Sequence, residues 1–326
     1  LNAKNSRQRR PFLRDLLNAF VHAVNFNQRK NKMSLIRTLF FILSVCIALT
    51  VVNGQIAAAD LSLYNSENNV FYTQSADGCA FMARKLERAA GVFVPADYDG
   101  DGIADPATWE PANGLWTIYL SSTSKIAYYS LGSKSDVAVP ADYDGDGRAD
   151  IAIWDTITGV WKAVLTSGNS TATSIIGIFG NFGDIPVPAD YNGDGKADPA
   201  VFRPVVNRWL IAGNDNALTF EIGSNEKGYL IPADFDGDGK ADPAFYSGGK
   251  WIIRLSRSSK FETFFFGFKD DMPAVKDYDG DGIADFATYR DGRWYFYLSR
   301  QPEFLSVEFG RKGDLPVLST YAKSIN

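Results

Sequence analysis

The stretch Asp97-Tyr98-Asp99-Gly100-Asp101-Gly102-Ile103-Ala104-Asp105 decides how this chain is read, because it returns four more times. The copies are DYDGDGRAD from Asp142, DYNGDGKAD from Asp190, DFDGDGKAD from Asp234 and DYDGDGIAD from Asp277. Carboxylates fall at positions 1, 3, 5 and 9: Asp97, Asp99, Asp101 and Asp105; Asp142, Asp144, Asp146 and Asp150; Asp234, Asp236, Asp238 and Asp242; Asp277, Asp279, Asp281 and Asp285. The third copy has Asp190, Asp194 and Asp198 with an amide, Asn192, at position 3. Several oxygen donors converging on one point, with glycine allowing a sharp turn, is what a hard cation such as calcium requires. A solvated Asp-Gly turn would account for one copy. Five near-identical copies, each crowding like charges that repel without a cation, argue for metal. Calcium is expected over magnesium because a flexible loop offers many oxygens. Five ions are expected, with the Asn192 loop the weakest site. The first six residues match the start of an EF-hand loop, but no glutamate follows at position 12, so Asp105, Asp150, Asp198, Asp242 and Asp285 at position 9 must close each metal site.

The loops start 45, 48, 44 and 43 residues apart. Each is preceded by an apolar stretch, as at Val94-Pro95-Ala96, and followed by a strand-like run such as Ile151-Ala152-Ile153-Trp154. A tryptophan strand comes next, at Trp116, Trp161, Trp209, Trp251 and Trp294, and a final run ends in glycine at Gly132, Gly180, Gly223, Gly267 and Gly310. That is four short strands per unit, rich in aromatic and β-branched residues. Four strands in about 45 residues describe a blade, so the expected fold is an all-β β-propeller. The tryptophans are expected to fill the space between blades, not to form sugar-stacking platforms.

The ends set the blade count. Ala59-Asp60-Leu61-Ser62-Leu63-Tyr64 aligns with Ala149-Asp150-Ile151-Ala152-Ile153-Trp154, and Phe71 takes the tryptophan place. Gly313-Asp314-Leu315-Pro316-Val317 repeats Gly183-Asp184-Ile185-Pro186-Val187. Six blades are therefore expected, one split between the termini, which closes the ring and removes exposed sheet edges. Leu315, Val317 and Tyr321 are expected to be buried there. Thr320, Ala322 and Ser324 would stand at positions 1, 3 and 5 of a sixth loop, opposite Asp60, and one carboxylate would not hold an ion.

Residues 1–32 carry eight Lys or Arg and one acid, Asp15. From Met33 a short basic start, an apolar run from Thr38 to Val52 and small residues before Asp60 give the layout of a secretory signal. The expected division is an upstream extension at 1–32, a signal at 33–59 and the propeller at 60–326. The expected location is outside the cytoplasm: secreted, at the cell surface, or periplasmic. The net charge of −5 includes those basic residues, so the rest is more acidic, which argues against nucleic acid as a partner. Only Cys79 lies beyond the signal, so there is no disulfide framework. The single histidine, His22, lies upstream, leaving the propeller without a histidine base.

These loops resemble the FG-GAP/VCBS repeat family, whose D-x-D-G-D-G-x-x-D loops bind calcium between blade strands, as in the propeller of integrin α-chain heads and of some fungal lectins. The resemblance spans residues 59–326. The F-G that the family places before a loop is present at Phe179-Gly180, Phe266-Gly267 and Phe309-Gly310, and is weaker elsewhere. The resemblance implies that the backbone carbonyl at position 7 is a further ligand: Ile103, Arg148, Lys196, Lys240 and Ile283.

The expected function is a calcium-binding adhesion or surface-recognition module, monomeric, with a surface protein or glycan as its partner. Two alternatives stay open on the same fold: a polysaccharide lyase or hydrolase, and a lectin. An enzyme would need acids outside the loops. Glu110, Asp155, Glu221, Glu226, Asp270 and Asp271 are available, but none recurs in a catalytic motif, so no enzymatic activity is expected.

Overall fold

A computed structural model describes residues 59–75, 81–86, 91–167, 172–213, 218–220, 227–300, 302, 304–317 and 323–325. All fall within the unit Ala48–Asn326. Residues 1–32, the signal apart from Ala59, Cys79, Glu221, Glu226, Thr320, Tyr321 and Ala322 lie outside the described residues.

Six antiparallel sheets follow one another along the chain. The first blade carries Val92–Phe93, Ala107–Glu110, Leu115–Tyr119 and Ile126–Ser130. The second carries Asp136–Ala138, Ile151–Asp155, Val160–Val164 and Thr173–Ile178. The third has Ile185–Pro186, Ala200–Arg203, Arg208–Ile211 and Leu218–Thr219. The fourth has Gly228–Leu230, Ala244–Ser247, Lys250–Arg254 and Phe261–Phe265, and the fifth Met272–Pro273, Phe286–Arg290, Arg293–Tyr297 and Phe304–Glu308. The sixth joins Leu61–Asn65, Val70–Gln74 and Phe81–Lys85 to Asp314–Pro316 from the other end of the chain. The protein is a six-bladed β-propeller with the predicted split blade.

The second strands are buried on both faces, because each blade lies between two others. Ile151, Ala152, Ile153 and Trp154 are all buried in sequence, without alternation. Two residues past each loop stands a fully buried alanine (Ala107, Ala152, Ala200, Ala244, Ala287; Phe286 and Pro residues precede some of them), small enough to let facing sheets approach. The five strand tryptophans and Phe71 are inaccessible to solvent. Four of the indoles donate to the backbone at 3.0 Å, as Trp161 does to Phe179 O, while Trp209 donates to the Tyr191 hydroxyl. The packing expectation therefore holds. Trp161→Ala should cost about 3–5 kcal/mol, as for other large truncations in a core. A calorimetric melt checks it: a Trp161→Ala protein melting like the parent would overturn the assignment.

The fourth strands form the rim, with Tyr128, Ile175, Phe265 and Phe304 exposed. Each metal-type loop joins the first and second strands, so it shares one end of the propeller with the hairpins between strands three and four. The opposite end holds the hairpins between strands two and three and the turns between blades. It exposes Ile157, Phe182, Val205 and Phe268.

Two expectations at the C-terminus need correction. Leu315 is 43% exposed, because it pairs with half-buried Tyr64 on the open face, while Asp314 turns inward and accepts from Asn65 Nδ2. Val317 is half-buried, and its N–H donates to Ser62 O at 2.9 Å. Ser324 is not part of a loop beside Asp60. It lies in the strand Lys323–Ile325, which pairs with Gly228–Leu230 as a fifth strand of the fourth blade. The first strand of a blade has a free edge toward the axis, and backbone groups there gain by pairing.

Candidate metal centres

Every loop is built alike. The position 1 carboxylate folds the loop around itself: Asp97 Oδ1 accepts from Gly100 N at 2.6 Å and Asp97 Oδ2 from Gly102 N at 2.8 Å. The same pair of bonds recurs on Asp142, Asp190, Asp234 and Asp277. Wrapping the chain so tightly puts both glycines of every loop at φ between 71° and 87°, where a side chain is strained. Position 9 bonds back to position 2 of its own loop. Asp105 Oδ2 accepts from Tyr98 N at 2.9 Å, and its counterparts do likewise from Tyr143, Tyr191, Phe235 and Tyr278.

In four loops, carboxylate oxygens gather within 4.8 Å of one another. The sets are Asp97, Asp99 and Asp101; Asp142, Asp144 and Asp146; Asp234, Asp236 and Asp242; Asp277, Asp279 and Asp285. The third loop gathers no such set among the described residues. The remaining expected ligands of these four loops, Asp105, Asp150, Asp238 and Asp281, are tied to the same loops by hydrogen bonds. The expected position 7 residues use their N–H groups on position 5, as Ile103 does on Asp101 Oδ1 at 2.8 Å and Arg148 on Asp146 Oδ1 at 2.9 Å. Lys196, Lys240 and Ile283 repeat the contact on Asp194, Asp238 and Asp281.

These residues fit a cation. Asp99 Oδ1, Asp236 Oδ1 and Asp279 Oδ1 are buried without a hydrogen-bond partner, and all three stand at position 3. A buried carboxylate oxygen with no donor is costly, and a metal ion in the loop supplies the missing contact. Burial also pushes the carboxyls of Asp105, Asp150, Asp242 and Asp285 up to about 6, against the pull of the N–H groups they accept from. Burial raises Asp279 as well, with Asp281 and Asp277 adding to it. The sites thus disfavour uncompensated negative charge.

Sequence reasoning missed the braces. Hairpins between strands three and four carry Leu120-Ser121-Ser122, Leu165-Thr166-Ser167, Leu255-Ser256-Arg257 and Leu298-Ser299-Arg300. Ser121 N donates to Asp105 Oδ1 at 2.6 Å, and Thr166, Ser256 and Ser299 do the same on Asp150, Asp242 and Asp285. The next residue donates to position 3, as Ser122 does to Asp99 Oδ2 at 3.1 Å. The signal was a second repeat, Leu followed by Ser or Thr, less conspicuous than the aspartates.

The loops also hold one another. Ala149 N donates to Asp97 O at 2.7 Å, and Ala197, Ala241 and Ala284 donate to Asp142, Asp190 and Asp234 at 2.6–2.7 Å. The position 7 side chains of Arg148, Lys196, Lys240 and Ile283 lie across Gly100, Gly145, Gly193 and Gly237 of the preceding loop. Between the first three loops the axis opens into a cavity of about 320 Å³. Lys276 stands where the other loops have alanine. Burial pulls its amine down, opposed by Asp60, Asp97 and Asp277.

Among the described residues, the acids considered for catalysis serve local turns and ion pairs. Asp271 is buried and paired with Arg290 Nη1 at 2.9 Å, and it accepts from Phe268 N in the turn between blades. Asp155 caps its own hairpin through Ile157 and Thr158. Glu110 accepts from Asn113 in another hairpin.

No protein-family model and no curated sequence matches the chain. Solved structures of similar fold do. TolB from Acinetobacter baumannii is 14% identical, with 78% of this chain and 65% of that chain covered and a TM-score of 0.51. A lectin from Agrocybe aegerita that recognises non-reducing terminal N-acetylglucosamine is 16% identical, covering 77% and 76% with a TM-score of 0.50. A streptogramin B lyase is 8% identical, covering 83% and 94% with a TM-score of 0.49. The expectation of no enzymatic activity is withdrawn: proteins of similar fold include a lyase, and a fold shared at this identity decides neither for nor against catalysis. Among the described residues, no helix is long and apolar enough to cross a membrane.

Proposed function

We propose that this chain is a calcium-binding propeller of the FG-GAP/VCBS type, exported from the cytoplasm, that acts as an adhesion or surface-recognition module. The observation that carries the metal reading is the set of partnerless position 3 oxygens, Asp99 Oδ1, Asp236 Oδ1 and Asp279 Oδ1, each inside a loop of converging carboxylates. Asp97, Asp99, Asp101 and Asp105 would hold the ion in the first loop, with the equivalent residues in the second, fourth and fifth. The ion would neutralise the gathered charge and tie the loop to its bracing hairpin. It is assigned a structural task because the loop backbone and the neighbouring hairpin enclose it.

With one end of the propeller committed to loops, the opposite end, exposing Phe182 and Phe268, is left for contact with a ligand. A surface protein or a glycan would be bound there. The test is a screen of glycan arrays and surface-protein panels in calcium, repeated in excess chelator. Binding that disappears in chelator is expected, and no ligand in either panel would count against recognition. Magnesium should rescue poorly, because it keeps its water and demands tighter octahedral geometry. Equal rescue of the melting temperature by the two ions would refute the choice of calcium.

A further inference from the structure

We infer that the third loop closes without a cation, so that the chain binds four divalent ions and Asn192 sets that number. The inference rests on the calcium reading of the other four loops.

Asn192 Nδ2 donates to Asp198 Oδ1 at 2.9 Å. In the other loops that oxygen of the position 9 aspartate takes its hydrogen from the bracing hairpin, through Ser121, Thr166, Ser256 or Ser299. A carboxylate at position 3 has no hydrogen to give, and Asp99, Asp236 and Asp279 are left with the partnerless oxygens already described, while Asp144 Oδ1 accepts from Asp146 N at 3.2 Å. An amide does have one, and it satisfies the position 9 oxygen from within the loop. The rest of the frame is intact. Gly193 and Gly195 donate to Asp190 at 2.6 and 2.8 Å, and Tyr191 donates to Asp198 at 3.0 Å. Main-chain bonds tie this loop to both neighbours, from Ala197 to Asp142 and from Ala241 to Asp190.

A second observation is independent of the amide. Asp105, Asp150, Asp242 and Asp285 are wholly buried, whereas Asp198 is only half-buried and Asn192 is exposed. Gly213 stands where the bracing hairpins have leucine, judged from the equivalent main-chain bonds of Ala212 to Pro199 and Arg254 to Pro243. The third loop is therefore more open to water and carries one carboxylate fewer. Both features weaken a calcium site, whose affinity follows ligand charge and rigidity.

Equilibrium dialysis of the full chain against calcium alone, with bound metal counted by mass spectrometry, tests this. Four ions are expected for the parent chain, five for Asn192→Asp, and three for Asp144→Asn, which puts the same amide into the second loop. Five ions on the parent would overturn this inference and leave the calcium reading standing. No ions would overturn the calcium reading and this inference with it. Four ions on Asn192→Asp, or four on Asp144→Asn, would remove Asn192 from the role given to it here.

Discussion

Deletion of residues 311–326 is expected to abolish cooperative folding of the propeller. The deletion removes Asp314–Pro316, the strand that pairs with Leu61–Asn65 and closes the ring. Leu63, buried and paired with Pro316, would lose that cover. Asn65 would lose the Asp314 carboxylate, Ser62 O the Val317 N–H, and the Tyr289 hydroxyl the Arg311 carbonyl. Lys323–Ile325 would leave the edge of the fourth blade as well. Individual losses of this kind cost about 1–3 kcal/mol each, and several together approach the ~5–15 kcal/mol stability of a typical domain. The opened ring also presents an unpaired strand edge, a template for aggregation. A truncated protein that gives a broad or absent calorimetric transition and elutes as aggregate is the expected outcome. A sharp transition at the parent temperature would mean that the termini do not share a blade.

The fold was legible because the aspartate loops recur at nearly constant spacing, and the matches of Asp60-Leu61-Ser62-Leu63 and Gly313-Asp314-Leu315-Pro316 reveal where the ring is cut. The place of the loops between the first and second strands was legible for the same reason. What escaped was everything that depends on which segments meet in space. The Ser121 and Thr166 braces lie 16 residues beyond the aspartates they hold, and nothing local marks a serine in a hairpin as a donor to a carboxylate in another turn. The inward turn of Asp314 was hidden because alternation favours burying Leu315, and only the register against Tyr64 and Asn65 reverses it. The pairing of Lys323–Ile325 with Gly228–Leu230 leaves no sequence signal, since three residues of any composition can add to a free edge. Asn192 stood out in the sequence as the one departure from the aspartate pattern, but its bond to Asp198 depends on the folded loop.

Chelation should lower the unfolding temperature by roughly ten degrees or more. The argument starts from the four loops that gather carboxylates. An ion that binds only the folded state stabilises it by mass action, by about 2.7 kcal/mol at a hundred times its dissociation constant. Four such sites together would exceed the few kcal/mol needed, since ~1 kcal/mol moves the midpoint by about 2–4 °C in a chain of this size. Removal has a second consequence, because the loops are not independent. Asp97 and Asp142 offer their carbonyls to Ala149 and Ala197, so a loop that loosens withdraws an acceptor from the next. Asp234 stands in the same relation to Ala284, which links the fourth loop to the fifth. The bracing hairpins loosen with them, since Ser121, Thr166, Ser256 and Ser299 donate to position 9. Melting should therefore become broader as well as earlier in chelator, and added calcium should restore both the midpoint and the sharpness. A melting curve unchanged in excess chelator would show that the gathered aspartates hold no structural ion.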